Sequence, residues 1–386
     1  MDSQLKVPIR VMRIIARMNV GGPAIQVTTL SKGLDKEIFH QELITGFCEE
    51  GEADYLETNQ INLSEIRVIG LGRSLKPLDD LRAFFKIRRL IKTFRPHIIH
   101  THTAKAGVLG RFACLSFDPK IIRIHTFHGH LLYGYFAKWK TSFVIFLERL
   151  LAFQTDILIA VGEKVRDELL SAGIGKKSQY SIFPPGFTMK SPQGILTRGD
   201  LNIPKDSFCC AWIGRLVDIK KPDRILEIVR TTNRISINIH FLVIGGGPHL
   251  ERLRELSELE SLPITFLGWR NDIEELIYLC DVMLLTSENE GTPISLIQAQ
   301  RLGKPVISTD VGSVKEVMIS GKTGFAFSYD ARVFAERILY LKENPHTYRS
   351  FSNAAKDFSN ERFSESRLIR DHEKLYRDLI VNQSNS

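Results

Sequence analysis

An acidic, glycine-containing turn near the C-terminal end of the chain combines residue types that a ligand site needs. The turn, residues 287–293, reads Ser-Glu-Asn-Glu-Gly-Thr-Pro and lies between the apolar run 282–285 and residues 294–300, which are typical of a helix start. The first turn of a helix has unpaired N–H groups that bind phosphate. A carboxylate beside it, such as Glu290, accepts hydrogen bonds from hydroxyl groups. The turn therefore predicts a site for a phosphorylated, hydroxyl-rich ligand.

Two cationic side chains follow an earlier apolar run. Gly214-Arg215-Leu216 comes directly after residues 209–213, and Lys220 lies five residues beyond Arg215. A guanidinium group binds two oxygens at once, and a lysine ammonium adds a mobile point charge. Together they suit a diphosphate, whose negative charge grows on the leaving oxygen as the bond to it breaks. A solvated loop with ordinary basic residues is the alternative.

Two glycine-rich loops also follow predicted strands. The first contains Gly21-Gly22, and the second begins with Gly245-Gly246. Glycine lets the backbone approach a phosphate or a sugar closely. The second loop is not a complete Gly-x-Gly-x-x-Gly, because Leu250 occupies the sixth position, and no acidic residue follows where a dehydrogenase would hold a ribose. Plain strand-to-helix turns are the alternative for both loops.

Histidines are concentrated in one part of the first half. His128, beside Gly129, is expected to lie in a ligand cleft. His102 and Lys105 are expected to bind an acceptor, and Lys105 to contact its phosphate. Packing inside the domain is the alternative for some of them, since His100 and His102 point the same way along a strand. We expect no metal site, because no nearby Asp, Glu or Cys completes a ligand set. The six histidines are His97, His100, His102, His125, His128 and His130.

The elements that must position these residues alternate between strands and helices in both halves of the chain. That pattern predicts an α/β fold with parallel sheets, and ligands bind beyond the carboxyl ends of such strands. The chain is predicted to divide into a first domain (1–184), a second domain (185–364) and a charged terminal helix (365–386) that crosses back to the first. The linker is predicted from the Pro-Pro-Gly stretch at 181–187 and the polar residues that follow.

Length and composition fit two soluble domains. The chain has 386 residues, of which 43% are hydrophobic and 25% charged, close to the globular average. It has neither an apolar run of about 18 residues nor a signal-peptide core, so we expect no spanning helix. Five scattered cysteines without a Cys-x-x-Cys pair predict a reducing, cytoplasmic location without disulfides or zinc.

The net charge of +8 is unevenly distributed. Residues 1–190 hold 27 Lys/Arg against 18 Asp/Glu, whereas residues 191–386 hold 25 against 26. A basic half attracts anionic membrane head groups or nucleic acid, although solubility alone is an alternative. The amphipathic, basic segment 81–94 and the aromatic, basic segment 131–140 favour peripheral contact with an anionic membrane. Helices that simply cover a sheet have similar compositions. No aromatic stacking module supports a nucleic-acid partner.

Together these motifs resemble the retaining glycosyltransferases of family 4, of the type that assembles bacterial surface polysaccharides. The resemblance extends over residues 11–317. It implies the GT-B fold, in which two Rossmann-like domains face each other across a cleft. The matching residues are Gly21-Gly22, Gly214-Arg215-Leu216 with Lys220, Gly245 to Pro248, Phe266-Leu267-Gly268, Ser287 to Gly291, Pro305-Val306-Ile307 with Gly312 and Glu316, and Thr323-Gly324.

By this resemblance, the second domain binds a nucleotide-sugar donor and the first binds a lipid-linked or saccharide acceptor. Arg215 and Lys220 would bind the donor diphosphate without a metal or other cofactor, Glu290 the sugar hydroxyls, and His128 would lie near the sugar. UDP is the usual nucleotide of the family. The further donor-binding residues that the resemblance implies are Gly21, Gly22, Gly245, Gly246, Gly268, Trp269, Arg270, Gly291, Thr292, Pro293 and Gln298.

One position departs from the family pattern. Its Glu-x7-Glu motif has a second glutamate that holds the ribose, and here that position is Gln298. An amide accepts from one hydroxyl but loses the charge-assisted bonds, so we expect weaker donor binding or a shifted preference. A nucleotide-sugar epimerase, a phosphorylase-like enzyme and a non-catalytic sugar-binding relative remain alternatives. No cofactor-anchoring lysine for a phosphorylase is identifiable.

Overall fold

Apolar strands and amphipathic helices alternate along the chain and build two separate parallel sheets, as the sequence pattern predicts. The computed structural model describes residues 7–384 except 73, 75, 116, 118, 130–137 and 237. The first unit comprises Met1–Thr188 and Phe363–Ser386, and the second unit comprises Met189–Arg362. Both sheets are flanked by helices, which confirms the prediction of two Rossmann-like α/β folds.

The first unit has a seven-stranded sheet. Its strands are β1 (Ile9–Ile15), β2 (Phe39–Thr45), β3 (Glu65–Arg67), β4 (Ile98–His102), β5 (Ile122–Phe127), β6 (Ile157–Ala160) and β7 (Tyr180–Ile182). Its helices before residue 188 are α1 (Gly22–Gly33), α2 (Tyr55–Thr58), α3 (Pro77–Phe94), α4 (Ala104–Cys114), α5 (Lys138–Ala152) and α6 (Glu163–Ser171). The strand order is β3-β2-β1-β4-β5-β6-β7. Successive strands are added on one side of β1 as far as β3 and on its other side from β4 onwards, so the order of the strands reverses between β1 and β4.

The second unit has a six-stranded sheet. Its strands are β8 (Phe208–Ile213), β9 (Ile239–Ile244), β10 (Ile264–Gly268), β11 (Val282–Leu285), β12 (Val306–Thr309) and β13 (Gly324–Phe327). Its helices are α7 (Asp223–Ile235), α8 (Leu250–Leu259), α9 (Ile273–Leu279), α10 (Ile294–Arg301), α11 (Val314–Val317), α12 (Ala331–Glu343) and α13 (Pro345–Arg362). The order β10-β9-β8-β11-β12-β13 reverses between β8 and β11.

A last helix, α14 (Glu365–Ser384), completes the first unit. It packs against α1, and its Tyr376 is fully buried in a cluster with Val11 and Phe39. Met12 and Ile14 of β1 face the opposite side of the sheet, where they pack with α3 and α4. Helices therefore cover both faces of this sheet, and α14 provides part of one layer.

The linker predicted to start at Ser181 overlaps the last strand of the first sheet. Ser181 and Ile182 belong to β7, which pairs in parallel with β6 and forms the edge of the first sheet. The Pro-Pro-Gly sequence that follows made the whole stretch resemble a loop, because proline and glycine are strong turn signals. None of the helices in the described part of the chain is long and apolar enough to cross a membrane.

Candidate functional site

The predicted site residues of the second unit lie on loops at one edge of its sheet. Because all its strands are parallel, the loops that follow them leave from the same edge. The loop after β8 begins with Gly214-Arg215, and the loop after β11 begins at Thr286. These strands are neighbours at the point where the strand order reverses, which is the usual ligand position in such sheets.

An ion pair between a half-buried lysine and a buried glutamate forms the centre of this edge. The Nζ atom of Lys220 lies 2.5 Å from Oε1 of Glu290, and the hydroxyl of Ser287 donates to the same oxygen at 2.5 Å. Glu290 is only 7% exposed and Ser287 is fully buried. The carboxylate is thus neutralised and oriented by two neighbours. Ser287 was predicted as the first residue of the ligand-binding turn but was given no role of its own; its signal in the sequence is a hydroxyl three residues before the carboxylate.

The backbone around this ion pair is firmly anchored. Thr309 donates through Oγ1 to the carbonyl of Ser287 at 2.8 Å, and Arg224 donates to the carbonyl of Thr286 at 2.8 Å. Gly312, at φ +51°, lies so close that a Cβ atom there would be 1.7 Å from the carbonyl oxygen of Glu290. Only glycine fits this contact, so the position of the carboxylate depends on a residue 22 positions further along the chain.

Arg215 lies where two loops run together. The N–H of Gly214 donates to the carbonyl of Ile244 at 3.0 Å, and the N–H of Leu216 donates to that of Gly246 at 2.9 Å. A Cβ atom on Gly245, whose φ is +133°, would be 1.9 Å from the carbonyl oxygen of Gly214. The glycine loop thus serves to let these backbones meet. Arg215 is exposed, and its guanidinium makes no hydrogen bond or ion pair with any residue in the described part of the chain.

Beyond the glycine loop lies an exposed aromatic surface. Trp269 follows β10, is 55% exposed, and packs so tightly against Gly246 that a Cβ there would be 2.3 Å from its indole nitrogen. Gly268, at φ +66°, turns the chain before it, and Gly245 donates to the carbonyl of Gly268 at 2.8 Å. Arg270 is held by Asp272, with Nε 2.8 Å from Oδ1. An exposed indole ring thus lies directly beside the glycine loop.

The start of α10 borders the same loop as Glu290. Gly291 and Thr292 precede Pro293, which caps the helix. The hydroxyl of Thr292 is buried and has no hydrogen-bond partner within residues 7–384 as far as they are described. Gln298 is half-buried on α10, and its amide likewise makes no hydrogen bond with a described residue. Both groups have unused capacity to bind a ligand.

The corresponding reversal point of the first unit lies between β1 and β4. Gly21 and Gly22 follow β1 and begin α1, and His102 at the end of β4 pairs in register with Ile15. Thr103 comes next with φ +68°, and its Oγ1 accepts a hydrogen bond from the N–H of Ala16 at 3.2 Å. A β-branched residue in this conformation stores strain of roughly 1–3 kcal/mol, which is typical of functional positions. Nothing in the sequence indicates Thr103.

Histidines fill the space beside this reversal point. The Nδ1 atom of His102 lies 2.9 Å from Nε2 of the half-buried His128, and the ring of His100 lies 4.2 Å from that of His102. His100 contacts the hydroxyl of Tyr376 at 2.6 Å and that of Thr126 at 2.7 Å. The packing alternative is therefore correct for His100. Within the described residues no group of three or more His, Cys, Asp or Glu side chains could hold a metal ion.

Burial keeps these imidazoles neutral. It lowers the pKa of His128 to about 3 and holds the pKa of His102 well below its usual value, where the neighbouring His100 adds to the effect. His128 can therefore donate or accept a hydrogen bond but does not supply a positive charge at neutral pH.

The two predicted acceptor contacts are engaged within the first unit. His102 has no exposed surface, and the ammonium of Lys105 lies 2.6 Å from Asp80 and 2.5 Å from the carbonyl of Ser74. To bind an acceptor phosphate, Lys105 would have to exchange its ion pair with Asp80 for one with the phosphate. His102, which is fully buried, would affect an acceptor only through its contact with His128. Their contact with an acceptor stays a prediction. His130 and the aromatic residues 131–137 lie outside the described residues.

Two family models match different parts of the chain. The model described as Glycosyltransferase Family 4 matches residues 20–189, and the one described as Glycosyl transferases group 1 matches residues 196–358. A relative from Escherichia coli, UDP-Gal:alpha-D-GlcNAc-diphosphoundecaprenol alpha-1,3-galactosyltransferase, is 24% identical over 91% of this chain and 92% of its own. The capsular polysaccharide biosynthesis glycosyltransferase CapM of Staphylococcus aureus is 24% identical over 85% of this chain and 89% of its own.

Among solved structures, Anabaena Alr3699/HepE in complex with UDP-glucose superimposes with a TM-score of 0.78. The two chains are 18% identical, and the match covers 96% of this chain and 100% of the other. At this identity the similarity establishes the fold.

Proposed function

Since the chain belongs to the glycosyltransferases of family 4, which have the GT-B fold, we propose that it is a retaining enzyme that uses a UDP-sugar. Its acceptor is a lipid-linked or saccharide molecule in the assembly of a bacterial surface polysaccharide. The names of the relatives support this choice, because one uses UDP-Gal with a diphosphoundecaprenol-linked sugar and another acts in capsule biosynthesis. A peripheral position on the inner face of the cytoplasmic membrane, without a nucleic-acid partner, is part of the proposal.

The observation that carries the proposal is that two groups occur together at one edge of the sheet. One is the guanidinium of Arg215, which has no described partner, and the other is the carboxylate of Glu290, whose charge Lys220 neutralises. Arg215 is exposed and has no described partner, so it can grip the diphosphate. Lys220 holds Glu290 at 2.5 Å and belongs to the same loop as Arg215, so its charge lies between the sugar and phosphate positions. Arg215 and Lys220 together supply the positive charge that the leaving diphosphate needs, and we propose that transfer requires no divalent metal.

Glu290 positions the donor sugar. A carboxylate has about four acceptor positions, so Glu290 can accept from sugar hydroxyls in addition to its bonds from Lys220 and Ser287. The buried hydroxyl of Ser287 fixes the orientation of the carboxylate before the donor arrives. This is preorganisation of the kind that lowers a reaction barrier.

We propose a front-face reaction. The bond between the anomeric carbon and the diphosphate oxygen breaks, and the acceptor oxygen bonds to the same face of that carbon. The acceptor proton goes to the leaving phosphate oxygen, so no side chain acts as nucleophile. Arg215 and Lys220 stabilise the developing charge, and His128, which is neutral, contributes a hydrogen bond near the sugar.

The experiment combines UDP binding with product analysis. Arg215→Ala should weaken UDP binding roughly 10- to 100-fold, because charge-assisted hydrogen bonds contribute about 1.5–3 kcal/mol. Glu290→Gln should retain UDP binding and lose most transfer. The matched control is Arg234→Ala, which removes an exposed arginine at the end of α7. Binding is measured as the rise in melting temperature with UDP.

Normal transfer by Arg215→Ala would overturn the site assignment. Conversion of the nucleotide-sugar without any acceptor identifies an epimerase instead. Donor binding without hydrolysis or transfer to any acceptor identifies a non-catalytic relative, which is the alternative that Gln298 keeps open.

A further inference from the structure

Helix α5 exposes a stripe of large apolar side chains. Phe143, Phe146, Leu150 and, just past the helix end, Phe153 are spaced three, four and three residues apart, and they are 56%, 55%, 46% and 78% exposed. Leu151 is 1% exposed on the side that packs inward. A helix that only covers a sheet is apolar on one side, so the outer stripe needs another explanation. Contiguous exposed apolar surface of this kind marks an interaction site.

Helix α3 exposes a second apolar stripe with cations beside it. Leu78, Leu81 and Phe85 are 75%, 53% and 58% exposed, and they lie on the N-terminal half of the helix. Its inner face is formed by buried residues such as Ile87 and Ile91. The exposed cationic residues of the same helix are Arg82, Lys86, Arg89 and Lys92.

The two stripes belong to one helical layer. Helix α4 contacts both α3 and α5, and Arg111 of α4 forms a fully buried ion pair with Glu148 of α5 at 2.6 Å. Neighbouring helices pack about 8–10 Å apart, so the axes of α3 and α5 lie roughly 16–20 Å from each other. Both stripes are thus carried by the same outer surface of the first unit.

The basic charge of the first half is concentrated in this layer. Residues 77–153, from the start of α3 to the end of the α5 stripe, hold 13 Lys/Arg against four Asp/Glu, whereas the rest of residues 1–190 hold 14 against 14. Two of the four acids are paired with cations of α4, Glu148 with Arg111 and Asp80 with Lys105. A second copy of the chain on this surface would bring two strongly cationic faces together. Nucleic acid would leave the exposed phenylalanines without a role.

We propose that the outer surface of the α3–α4–α5 layer docks on an anionic lipid bilayer, with the two apolar stripes in the interface and the cations at the head groups. Apolar burial plus attraction to anionic lipid is how interfacial helices bind. The inference rests on the proposed function for its purpose, which is to bring the enzyme to a lipid-linked acceptor. Lipid binding itself is measurable without a donor.

Co-sedimentation of the full chain with vesicles tests the docking surface. Phosphatidylcholine vesicles with and without about one third phosphatidylglycerol should give strong and weak binding, respectively. Phe146→Ser with Phe153→Ser should reduce partition to the anionic vesicles at least tenfold. The matched control is Ile235→Ser with Leu259→Ser, which removes apolar residues of the second unit that are 55% and 82% exposed.

A second pair of substitutions tests the role of the basic residues on α3. Lys86→Gln with Arg89→Gln should also reduce partition at least tenfold, since each basic residue near an anionic surface contributes about fivefold. Lys36→Gln with Lys205→Gln, both exposed and outside the layer, should change it less than twofold. All these positions are exposed, so the variants should keep the melting temperature of the parent chain.

Equal loss in the control pairs, or equal binding to neutral and anionic vesicles, would overturn the docking surface. A concentration-dependent dimer that the phenylalanine variants dissociate would assign the surface to a second copy, and displacement of lipid by RNA would assign it to nucleic acid. The UDP-induced rise in melting temperature reports separately on the proposed function. If it is absent while vesicle binding follows the predictions, the proposed function fails and the docking surface stands.

Discussion

The reversal points of the two sheets hold buried polar groups of different kinds. In the first unit the space beside β4 is filled by imidazoles, with His100 and His102 fully buried. In the second unit the loops after β8 and β11 hold the two members of a charged pair, Lys220 and Glu290. A neutral ring can be buried once its hydrogen bonds are made, whereas a buried ion needs a partner of opposite charge. The two sheets therefore bury polar groups at their reversal points by different means.

The two sheet edges, at β1–β4 in the first unit and at β8–β11 in the second, should also be sensitive to different changes. The first edge is stable only while its imidazoles are uncharged. The second depends on exact backbone placement around Glu290. Perturbing pH should therefore break the first, and perturbing glycine or hydroxyl positions should break the second.

The largest effect is expected from acid. In the described part of the first unit burial lowers the pKa of six histidines, of His97 modestly and of the other five strongly, so below about pH 6.5 the unfolded chain binds protons that the folded chain does not. Stability is therefore complete above that pH and falls as the pH decreases, by about 1.4 kcal/mol per histidine per pH unit and up to about 7 kcal/mol together. The five are His100, His102, His125, His128 and His372.

Hydrogen exchange between pH 7.5 and 5.5 checks this prediction. Peptides from β4 and β5 should lose protection before peptides from β8 and β9. In the second unit burial lowers the pKa of His240, which stands apart from any cluster like that of the first unit. Equal loss of protection in both units would show that the histidine cluster is not the sensitive element.

Gly312→Ala should damage the second edge. A Cβ atom there would lie 1.7 Å from the carbonyl oxygen of Glu290, so the loop must move, and we expect destabilisation of roughly 3 kcal/mol together with loss of transfer. Gly321→Ala is the matched control, because its φ of +80° is also unfavourable but nothing lies within 4 Å of the added Cβ. It should cost only about 1 kcal/mol. Urea unfolding of the two variants measures the difference, and equal destabilisation would argue against the packing explanation.

Ser287→Ala should affect catalysis more than binding. It removes a hydrogen bond to the carboxylate of Glu290, which is worth roughly 1.5 kcal/mol, so kcat/KM should fall about tenfold. UDP affinity should stay within twofold, since Ser287 orients the sugar-binding group only. A parallel loss of UDP affinity would mean that the hydroxyl supports the whole loop, and recovery by Ser287→Thr would support positioning.

Gln298→Glu should have the smallest effect and the opposite sign. A carboxylate would restore charge-assisted bonds to the ribose, so we expect UDP affinity to rise about fivefold. Calorimetric titration with UDP measures it, and pyrophosphate, which has no ribose, is the control ligand whose affinity should not rise. A decrease for UDP would place Gln298 away from the ribose.

Much of the second edge follows from the sequence because its parts are local. Arg215 and Lys220 are five residues apart, and Glu290 lies in a turn whose strand and helix are both evident. The pairing of Lys220 with Glu290, 70 residues apart, could not be predicted from spacing, since it depends on β8 and β11 being neighbours in the sheet.

The first edge was less accessible from sequence. His100 is completed by Tyr376, 276 residues away, because α14 returns to pack on α1. The strained backbone of Thr103 has no signature at all, since β-branched residues rarely adopt such a conformation. Local patterns therefore predicted which histidines are close together but not what surrounds them.

The return of α14 to the first unit has a consequence for the growing chain. A ribosome releases residues 363–384, which carry His372 and Tyr376, only after the whole second unit has been made. The second unit can fold while translation continues, but the first must wait with the apolar side of β1 and α1 uncovered. The N-terminal part of this molecule is therefore the last to mature, and nascent chains are most exposed to chaperones and proteases at the end that emerged first.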